Sequence, residues 1–269
     1  MESRHLIEPD ELADLAGPLL ILDLCRPDQY GRGHIPGAVH VSPQELVDGR
    51  PPAPGLPPDE RRLRGLACRL GLAPEVAVVV YDDEGGGWAG RMAWTLDLLG
   101  HRNWRYLNGG LVAWQAAGLP LEREPRAPLA RPVEPAWDPR PLVELAELRG
   151  LLGRPEVVIW DARSREEYEG LRSGSRRAGH IPGAVHCEWT SLMDPARGLR
   201  IREDAAERLA DLGIRPDRTV ITHCQTHHRS GFTYLVGRVL GFPEIRAYAG
   251  SWAEWGNRDD TPVATGPNP

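Results

Sequence analysis

The chain of 269 residues contains no lysine; all 32 of its basic residues are arginines. No lysine can therefore serve as the catalytic base of this protein. Cysteine is scarce as well: the four residues Cys25, Cys68, Cys187 and Cys224 are far apart and form no Cys-x-x-Cys pair. This spacing is typical of reduced thiols, and it indicates neither a disulfide framework nor a zinc site.

Long apolar segments are also absent. The sequence has no run of ~18 apolar residues that could span a membrane, and its amino-terminal segment MESRHLIEPDELADL has no apolar stretch after a basic start. The net charge is −6 at pH 7, and no basic stripe indicates nucleic-acid binding. These absences favour a cytoplasmic protein without a membrane or nucleic-acid partner.

The chain does contain an internal repeat. The octapeptide GHIPGAVH occurs at residues 33–40 and again at 179–186, and similar segments precede and follow both copies. A repeat this long predicts two similar domains and not a solenoid, whose repeats span about 20–50 residues. The predicted parts are a first domain at 1–122, a proline- and arginine-rich linker at 123–140, a second domain at 141–263 and a flexible tail at 264–269.

Short apolar runs alternate with amphipathic stretches in both halves. The runs predict strands at 19–24, 76–81, 104–107, 157–161, 185–187, 219–223 and 245–248, and the stretches predict helices at 59–70, 88–99, 203–212 and 231–240. This alternation predicts an α/β fold, with a parallel sheet and helices on both of its faces in each domain. Ligands of such folds bind at the carboxyl ends of the strands.

Cys224 follows one of these strands and begins a loop that leads into a helix. Successive amide groups in such a loop point towards one centre, and with the helix N-terminus they attract anions. This field, reinforced by Arg229 and by protonated His227 or His228, is expected to lower the pKa of the thiol. Cys224 is therefore predicted to be a nucleophile near neutral pH.

The first half has no cysteine at the corresponding position. There the sequence reads YDDEGGGWAG at residues 81–90, which places Asp82 or Asp83 where the second half has Cys224. The first domain is therefore predicted to be catalytically inactive.

Four segments of the second half resemble motifs of tandem-domain rhodaneses, which are thiosulfate sulfurtransferases. These segments are DAR at 161–163, GHIPGA at 179–184, the six-residue loop CQTHHR at 224–229 and GSWAEW at 250–255. The resemblance covers essentially the whole chain, and the loop is similar to that of a bacterial subtype. It implies two rhodanese-like domains, an inactive first domain that walls the cleft, a persulfide on Cys224 and no cofactor.

The resemblance also implies a double displacement. Cys224 takes the sulfane sulfur of thiosulfate, and a thiophilic acceptor such as cyanide, a thiol or a sulfur-accepting protein then removes it. The residues expected to bind the persulfide and the anion are Gln225, Thr226, His227, His228 and Arg229. Trp189 is a candidate for the lining of the cleft, although core packing is the commoner use of a tryptophan.

The histidines near Cys224 leave several roles open. His227 and His228 are either a cationic or hydrogen-bonding rim of the loop or simply exposed residues. His223 is expected to point to the opposite face of the sheet from Cys224 and to be structural. A metal site built from these residues is disfavoured, because neighbouring ligands on a tight loop would not close a tetrahedral site.

Three other functions compete with thiosulfate sulfur transfer. A 3-mercaptopyruvate sulfurtransferase is disfavoured, because Pro182 stands where such enzymes carry an arginine and because the loop lacks their CG[ST]GV pattern. A cysteine phosphatase or arsenate reductase is disfavoured, because only four residues separate Cys224 from Arg229, one fewer than those enzymes have. A persulfide carrier for a biosynthetic partner uses the same Cys224 chemistry and remains open.

Overall fold

A computed structural model describes residues 3–15 and 17–269; residues 1 and 2, with which the predicted first domain begins, lie outside the described residues. The first half contains β1 (Leu6–Ile7), α1 (Pro9–Ala13), β2 (Leu19–Asp23), α2 (Pro27–Arg32), β3 (Val39–His40), α3 (Glu60–Leu70), β4 (Ala77–Tyr81), α4 (Gly87–Leu98), β5 (Trp104–Leu107) and α5 (Gly110–Ala116). The second half contains α6 (Leu145–Leu151), β6 (Val157–Asp161), α7 (Arg165–Glu169), β7 (Val185–His186), β8 (Met193–Asp194), β9 (Arg200–Ile201), α8 (Ala205–Asp211), β10 (Thr219–His223), α9 (Arg229–Val239), β11 (Ile245–Ala247) and α10 (Ser251–Trp255).

Each half has a parallel sheet with helices on its faces. The parallel sheet of the first half has the strand order β1-β5-β4-β2-β3, and that of the second half has the order β11-β10-β6-β7. In the second half, β8 and β9 pair antiparallel in a separate two-stranded sheet. The registers of the two sheets correspond, since Asp23 pairs with Tyr81 in the first and Asp161 with His223 in the second. The predicted fold class is confirmed, and both central strands end at the same edge of their sheets.

The two GHIPGAVH copies form the same turn. The ring of His34 stacks on Tyr30 and the ring of His180 stacks on Tyr168, each with 3.8 Å between centroids. The two tyrosine hydroxyls donate to carbonyls inside their own octapeptide, Tyr30 to Ala38 at 2.9 Å and Tyr168 to Ala184 at 2.6 Å. Both histidines are fully buried. The motif therefore fixes backbone geometry in both halves, independently of Cys224.

The segment between the halves lies along the first half without regular structure. Residues 123–140 form no helix or strand, and the amide of Arg131 donates to the Cys68 carbonyl at 3.0 Å. In the carboxyl-terminal tail, Ala264 exchanges two backbone hydrogen bonds with His180, and the amide of Gly266 donates to the Glu169 carbonyl at 2.9 Å. The main chain up to Gly266 is thus hydrogen-bonded to the second half, and the flexible tail at 264–269 stays a prediction.

The two halves pack through α4 and α9, the helices that follow the corresponding loops. A Cβ placed on Gly90 would lie 2.3 Å from the Gly231 carbonyl oxygen, so the two helix backbones touch. A single cluster of buried apolar residues runs through this contact from Leu22 in the first sheet to Val220 in the second. The two loops that precede these helices consequently face each other across the interface.

Candidate active site

The loop after β10 is held by hydrogen bonds to its carbonyl groups. The amides of Trp252 and Ala253, in the first turn of α10, donate to the carbonyls of Cys224 and Gln225, each at 2.9 Å. Cys224 also donates its own amide to the Ser251 hydroxyl at 3.3 Å. Because the carbonyls face α10, the following amides are free to turn towards the cysteine side chain.

The Cys224 thiol is buried, with 1% of the residue exposed, but its surroundings are polar. The Ser230 hydroxyl donates to the sulfur at 3.5 Å. Burial alone would raise the pKa of this thiol. The charge of Arg229 and the hydrogen bonds from Ser230 and Thr226 outweigh burial, so the pKa of Cys224 is lowered.

The other cysteines have different surroundings. All four cysteines are free thiols. Burial raises the pKa of Cys25 and of Cys187, which both belong to clusters of apolar core residues. Cys68 is half-buried in α3, and its sulfur lies 3.5 Å from the Val133 carbonyl. Cys224 is thus the buried thiol whose environment favours the thiolate.

Arg229 is held by a carboxylate that the sequence did not single out. Its guanidinium donates two hydrogen bonds to Glu167 of α7, at 2.6 and 2.9 Å. Although Glu167 is buried, which opposes ionisation, this pair lowers the pKa of its carboxyl group to about 2. The same pair raises the pKa of Arg229. Both groups are therefore charged at any physiological pH.

His227 is not an exposed or cationic residue. It is fully buried, its backbone has the left-handed φ of 56°, and its Nδ1 lies 2.8 Å from the Ser230 hydroxyl. Burial and the nearby charge of Arg91 lower the pKa of its ring well below the ordinary value. The expectation of exposure or a positive charge at His227 is wrong, because the left-handed turn directs the ring into the interface with α4.

His228 lies at the surface of the same loop and contacts the first half. Its Nε2 is in hydrogen-bond contact with the Glu84 carboxylate, and its ring lies between Trp88 and Trp189, with centroid distances of 4.7 and 5.6 Å. Burial opposes protonation of this ring, but the hydrogen bond and charge of Glu84 outweigh it and raise the pKa of His228. The structure thus brings the sequence candidates His228 and Trp189 together.

Gln225 and Thr226 contact segments on either side of the loop. The Gln225 side chain donates to the Ser175 hydroxyl at 3.1 Å. Ser175 belongs to a segment of the second half that the first half lacks, since Tyr30 and His34 are four residues apart whereas Tyr168 and His180 are twelve apart. On the other side, a Cβ placed on Gly55 would lie 2.4 Å from the Thr226 carbonyl oxygen.

His223 is a buried neighbour of the DAR segment. Its Nε2 lies 3.6 Å from the Asp161 carboxylate, and burial lowers the pKa of its ring to about 4. Arg163 binds the same carboxylate through Nε at 2.9 Å and its guanidinium lies over the Trp252 ring at 4.4 Å. These contacts are consistent with the structural role expected for His223, and they fix the end of β6 beside Cys224.

The first half holds a carboxylate where the second holds the thiol. Asp82 follows β4 as Cys224 follows β10, and the Leu111 amide donates to its carbonyl at 2.8 Å, as Trp252 does to Cys224. Its carboxylate accepts from the amides of Glu84, Gly86 and Ala89 at 3.1, 2.8 and 2.9 Å. Of the two aspartates left open by the sequence, Asp82 is the counterpart of Cys224.

Several residues at the site were not found from the sequence. Glu167, Glu84 and Arg91 lie on segments distant from Cys224 in the chain, and no local pattern connects them with it. Ser230 follows the six-residue loop directly, and its place at the helix start could have singled it out. Among residues 3–15 and 17–269, no group of three His, Cys, Asp or Glu side chains could hold a metal ion. In the same part of the chain, the helices are too short or too polar to cross a bilayer.

The family model of the rhodanese-like domain matches the sequence of the chain twice, at residues 8–117 and 144–258. The chain therefore belongs to the rhodanese-like family and contains two copies of its domain.

Two curated relatives and one solved structure are similar over most of the chain. A thiosulfate sulfurtransferase of Pseudomonas aeruginosa is 53% identical over 260 residues, which make up 96% of this chain and 96% of the relative. The sulfur carrier protein TtuD of Thermus thermophilus is 32% identical and is covered to 87%, over 88% of this chain. The crystal structure of YnjE superimposes with a TM-score of 0.88 at 26% identity, over 98% of this chain and 68% of that one.

Proposed function

We propose that this chain is a thiosulfate sulfurtransferase in which Cys224 carries the transferred sulfur as a persulfide. The observation that supports this most directly is the environment of the Cys224 thiol. It is buried, yet the Ser230 hydroxyl donates to it, and Arg229 together with groups of Ser230 and Thr226 lowers its pKa. The 53% identity to a thiosulfate sulfurtransferase, over 96% of both chains, supports thiosulfate as the donor.

The reaction proceeds through two displacements at sulfur. The Cys224 thiolate attacks the outer sulfur of thiosulfate, the bond between the two thiosulfate sulfurs breaks, and its electron pair leaves with sulfite. An acceptor such as cyanide or a thiol then attacks the terminal sulfur of the persulfide. The bond to Cys224 breaks, and its electron pair restores the thiolate. The electrons balance within the two steps, so the cycle needs no further oxidant, reductant or cofactor.

The loop residues stabilise the anionic sulfur at different points. The Ser230 hydroxyl donates to the Cys224 sulfur, so it stabilises the thiolate and the inner sulfur of the persulfide, and the main chain of Thr226 and Ser230 lowers the pKa of the thiol. Gln225 and Arg229 fix the shape of the loop through Ser175 and Glu167. His227 supports Ser230 from inside as a neutral ring.

His228 is the cation that meets the donor at the mouth of the site. It is about one quarter exposed, it lies beside Trp189 and Trp88, and Glu84 keeps it protonated to a higher pH than usual. Trp189 lines the same mouth. A protonated imidazole at this mouth attracts the thiosulfate anion and can donate a charge-assisted hydrogen bond to it.

The acceptor and the setting complete the proposal. A protein thiol is a second candidate acceptor, because a relative of 32% identity is a sulfur carrier protein. The CQTHHR loop marks a bacterial subtype of the family, and the protein acts in the cytoplasm. The working boundaries of its parts are 1–122 for the inactive domain, 123–140 for the linker and 141–263 for the catalytic domain, followed by 264–269.

Replacement of the cysteine tests this function. Cys224→Ala is expected to fold like the wild type and to lose sulfur transfer from thiosulfate to cyanide completely, because no other thiol lies in the loop. Cys68→Ser, which changes a half-buried thiol outside the site, is the matched control and should retain full turnover. Residual thiocyanate formation in Cys224→Ala would contradict the assignment. In the same assay, a large preference of the wild type for 3-mercaptopyruvate would contradict thiosulfate as the donor.

A further inference from the structure

Arg91 of α4 is a buried cation without a carboxylate partner among the described residues. It has no exposed surface, and its guanidinium binds only main-chain carbonyls. Nε and Nη2 donate to Leu46 at 3.2 and 2.6 Å, and Nη1 donates to Gly55 at 2.8 Å. Burying a charge without a counter-charge is strongly unfavourable. A charged group of opposite sign is therefore expected close to Arg91.

Arg91 lies directly behind the catalytic loop. A Cβ on Gly231 would lie 2.7 Å from the Arg91 amide nitrogen, and Gly231 follows the serine that touches the Cys224 sulfur. Nη1 of Arg91 donates to the Gly55 carbonyl, and Gly55 packs against the Thr226 carbonyl on the other side of the loop. Arg91 thus packs directly against the chain after the loop at Gly231 and reaches Thr226 in the loop only through Gly55.

A third contact passes through Trp94. The Arg91 guanidinium lies 4.7 Å from the centroid of the Trp94 ring. The centroid of the same ring lies 4.5 Å from that of the His227 ring, and the two rings are nearly perpendicular. His227 in turn contacts the Ser230 hydroxyl at 2.8 Å. The ring of His227 is neutral, so it offers Arg91 no counter-charge.

The other cations near Cys224 already have anionic partners. Arg229 binds Glu167 with two hydrogen bonds, and His228 binds Glu84. Each of these pairs is formally neutral, so Glu167 offsets part of the charge with which Arg229 lowers the pKa of Cys224. Arg91 has no such carboxylate partner among the described residues. Burial lowers the pKa of Arg91 to about 9, and the Cys224 thiolate opposes this decrease.

We infer that Arg91, a residue of the inactive half, is the buried counter-ion of the Cys224 thiolate and of its persulfide. It acts as a positioning residue, because its hydrogen bonds go to carbonyls and not to the reacting sulfur. The inference rests on the proposed role of Cys224. The inactive half thus contributes a positive charge to the site and also forms a wall of the cleft.

Alkylation of Cys224 by iodoacetamide, followed by mass spectrometry of its peptide between pH 5 and pH 10, tests this role. Arg91→Gln removes the charge and keeps an amide donor for the carbonyls. We expect its alkylation rate at pH 7 to fall at least about tenfold, with recovery at high pH, because less thiolate is present at pH 7. Arg91→Lys keeps the charge and should lose less than about threefold.

The matched control is Arg177→Gln. Arg177 also donates to main-chain carbonyls, those of Trp255 and Thr261 at 2.9 and 2.7 Å, and its replacement should leave the alkylation profile of Cys224 unchanged. A folded Arg91→Gln with the profile of the wild type overturns the inference. That result would leave the proposed function intact, whereas activity of Cys224→Ala would remove the function itself.

A second measurement applies if Arg91→Gln does not fold. Cys224→Ser removes the anion and leaves the Arg91 charge in place. A thiol whose pKa is lowered on folding adds stability as pH rises above its folded pKa. The wild type should therefore become more stable than Cys224→Ser, by urea unfolding, as pH rises from 6 to 9. A difference in unfolding free energy that stays constant with pH overturns the inference.

Discussion

Arg229 and His228 show that the effect of a predicted positive charge depends on the groups that its side chain contacts. Both were expected to attract the donor anion, and both contact a carboxylate. Glu167 has a pKa of about 2, so its pair with Arg229 does not change over the physiological range and serves to hold the loop. His228 differs, because its charge depends on a proton that Glu84 helps to retain.

Glu84→Gln should change the pH dependence of thiosulfate turnover. The pKa of His228 is raised mainly by Glu84, with smaller contributions from Cys224 and Asp82, so the imidazolium is present below the raised pKa and is lost as pH rises through it. Removing Glu84 moves that loss to lower pH. We expect kcat/KM for thiosulfate at pH 7.5 to fall by about two- to fivefold, the range of a partly exposed ion pair.

The effect at low pH separates this role from a loss of structure. At a pH low enough to protonate His228 in both proteins, Glu84→Gln also removes a negative charge close to the donor. The variant should therefore match or exceed the wild type there. Glu60→Gln, which removes a carboxylate from an exposed ion pair of α3, is the control and should leave the profile unchanged. A decrease of equal size at pH 5.5 and 7.5 would contradict the proposed role.

At the scale of elements, the site depends on the close contact of α4 and α9. Both helices begin directly after a loop that holds an anion or a thiol, and both place a glycine at the contact. The Gly231 carbonyl leaves no space for a side chain at Gly90, and the Arg91 amide leaves none at Gly231. A change of one methyl group at this contact therefore acts on two loops at once.

Gly90→Ala should separate the helices and disturb the active loop. A methyl group 2.3 Å from a backbone oxygen cannot be accommodated without a shift of a helix, so we expect a loss of about 1–3 kcal/mol in unfolding free energy. We also expect a lower kcat/KM for thiosulfate. Gly65→Ala is the control, because Gly65 lies in α3 with no atom near its Cβ position, and it should add roughly 0.5–1 kcal/mol. Urea unfolding of both variants measures these changes in unfolding free energy. A Gly90→Ala variant as stable as the wild type would contradict the prediction.

The elements themselves could largely be predicted from the sequence. The predicted strands at 104–107, 157–161 and 219–223 agree residue for residue with the structure, because each is rich in aromatic or β-branched residues, which favour strands. The enzyme class predicted from the motifs is confirmed by the relatives. Helix α9 begins at Arg229, two residues earlier than predicted, because polar residues at a helix start carry no apolar periodicity.

The contacts between the halves could not be predicted. Glu84 and Arg91 reach Cys224 only because two copies of one fold meet through equivalent helices, and the relative placement of two domains leaves no periodic signal in either. The sequence did not predict the buried position of His227, and the reason is local. A left-handed turn at a residue other than glycine is rare, so the sequence favoured an outward ring.

At the scale of the whole molecule, the halves share one core. Apolar residues of both sheets join in a single cluster around α4 and α9, and a smaller separate cluster lies on the outer side of each half. Phe232 of α9, for example, is fully buried and lies against Gly86 of the first half. The catalytic half without its partner would expose this apolar surface to water.

Residues 141–269 expressed alone should therefore be unstable and inactive. Exposure of the α9 face removes a large part of the buried apolar area, and the same cut removes Arg91 and Glu84 from the site. We expect strong binding of an apolar dye, a lowered thermal midpoint and no thiocyanate formation. Addition of residues 1–140 in trans should restore part of the activity. A catalytic half that is active and stable alone would show that the first half is dispensable.

Asp82 occupies the position in the first half that corresponds to Cys224. Three main-chain N–H groups donate to its carboxylate, so the anion-binding groups of that loop already have a partner within the chain. A free oxyanion would have to displace a covalently attached group to enter. The loop after β4 is therefore filled by its own side chain, whereas the loop after β10 presents a thiol.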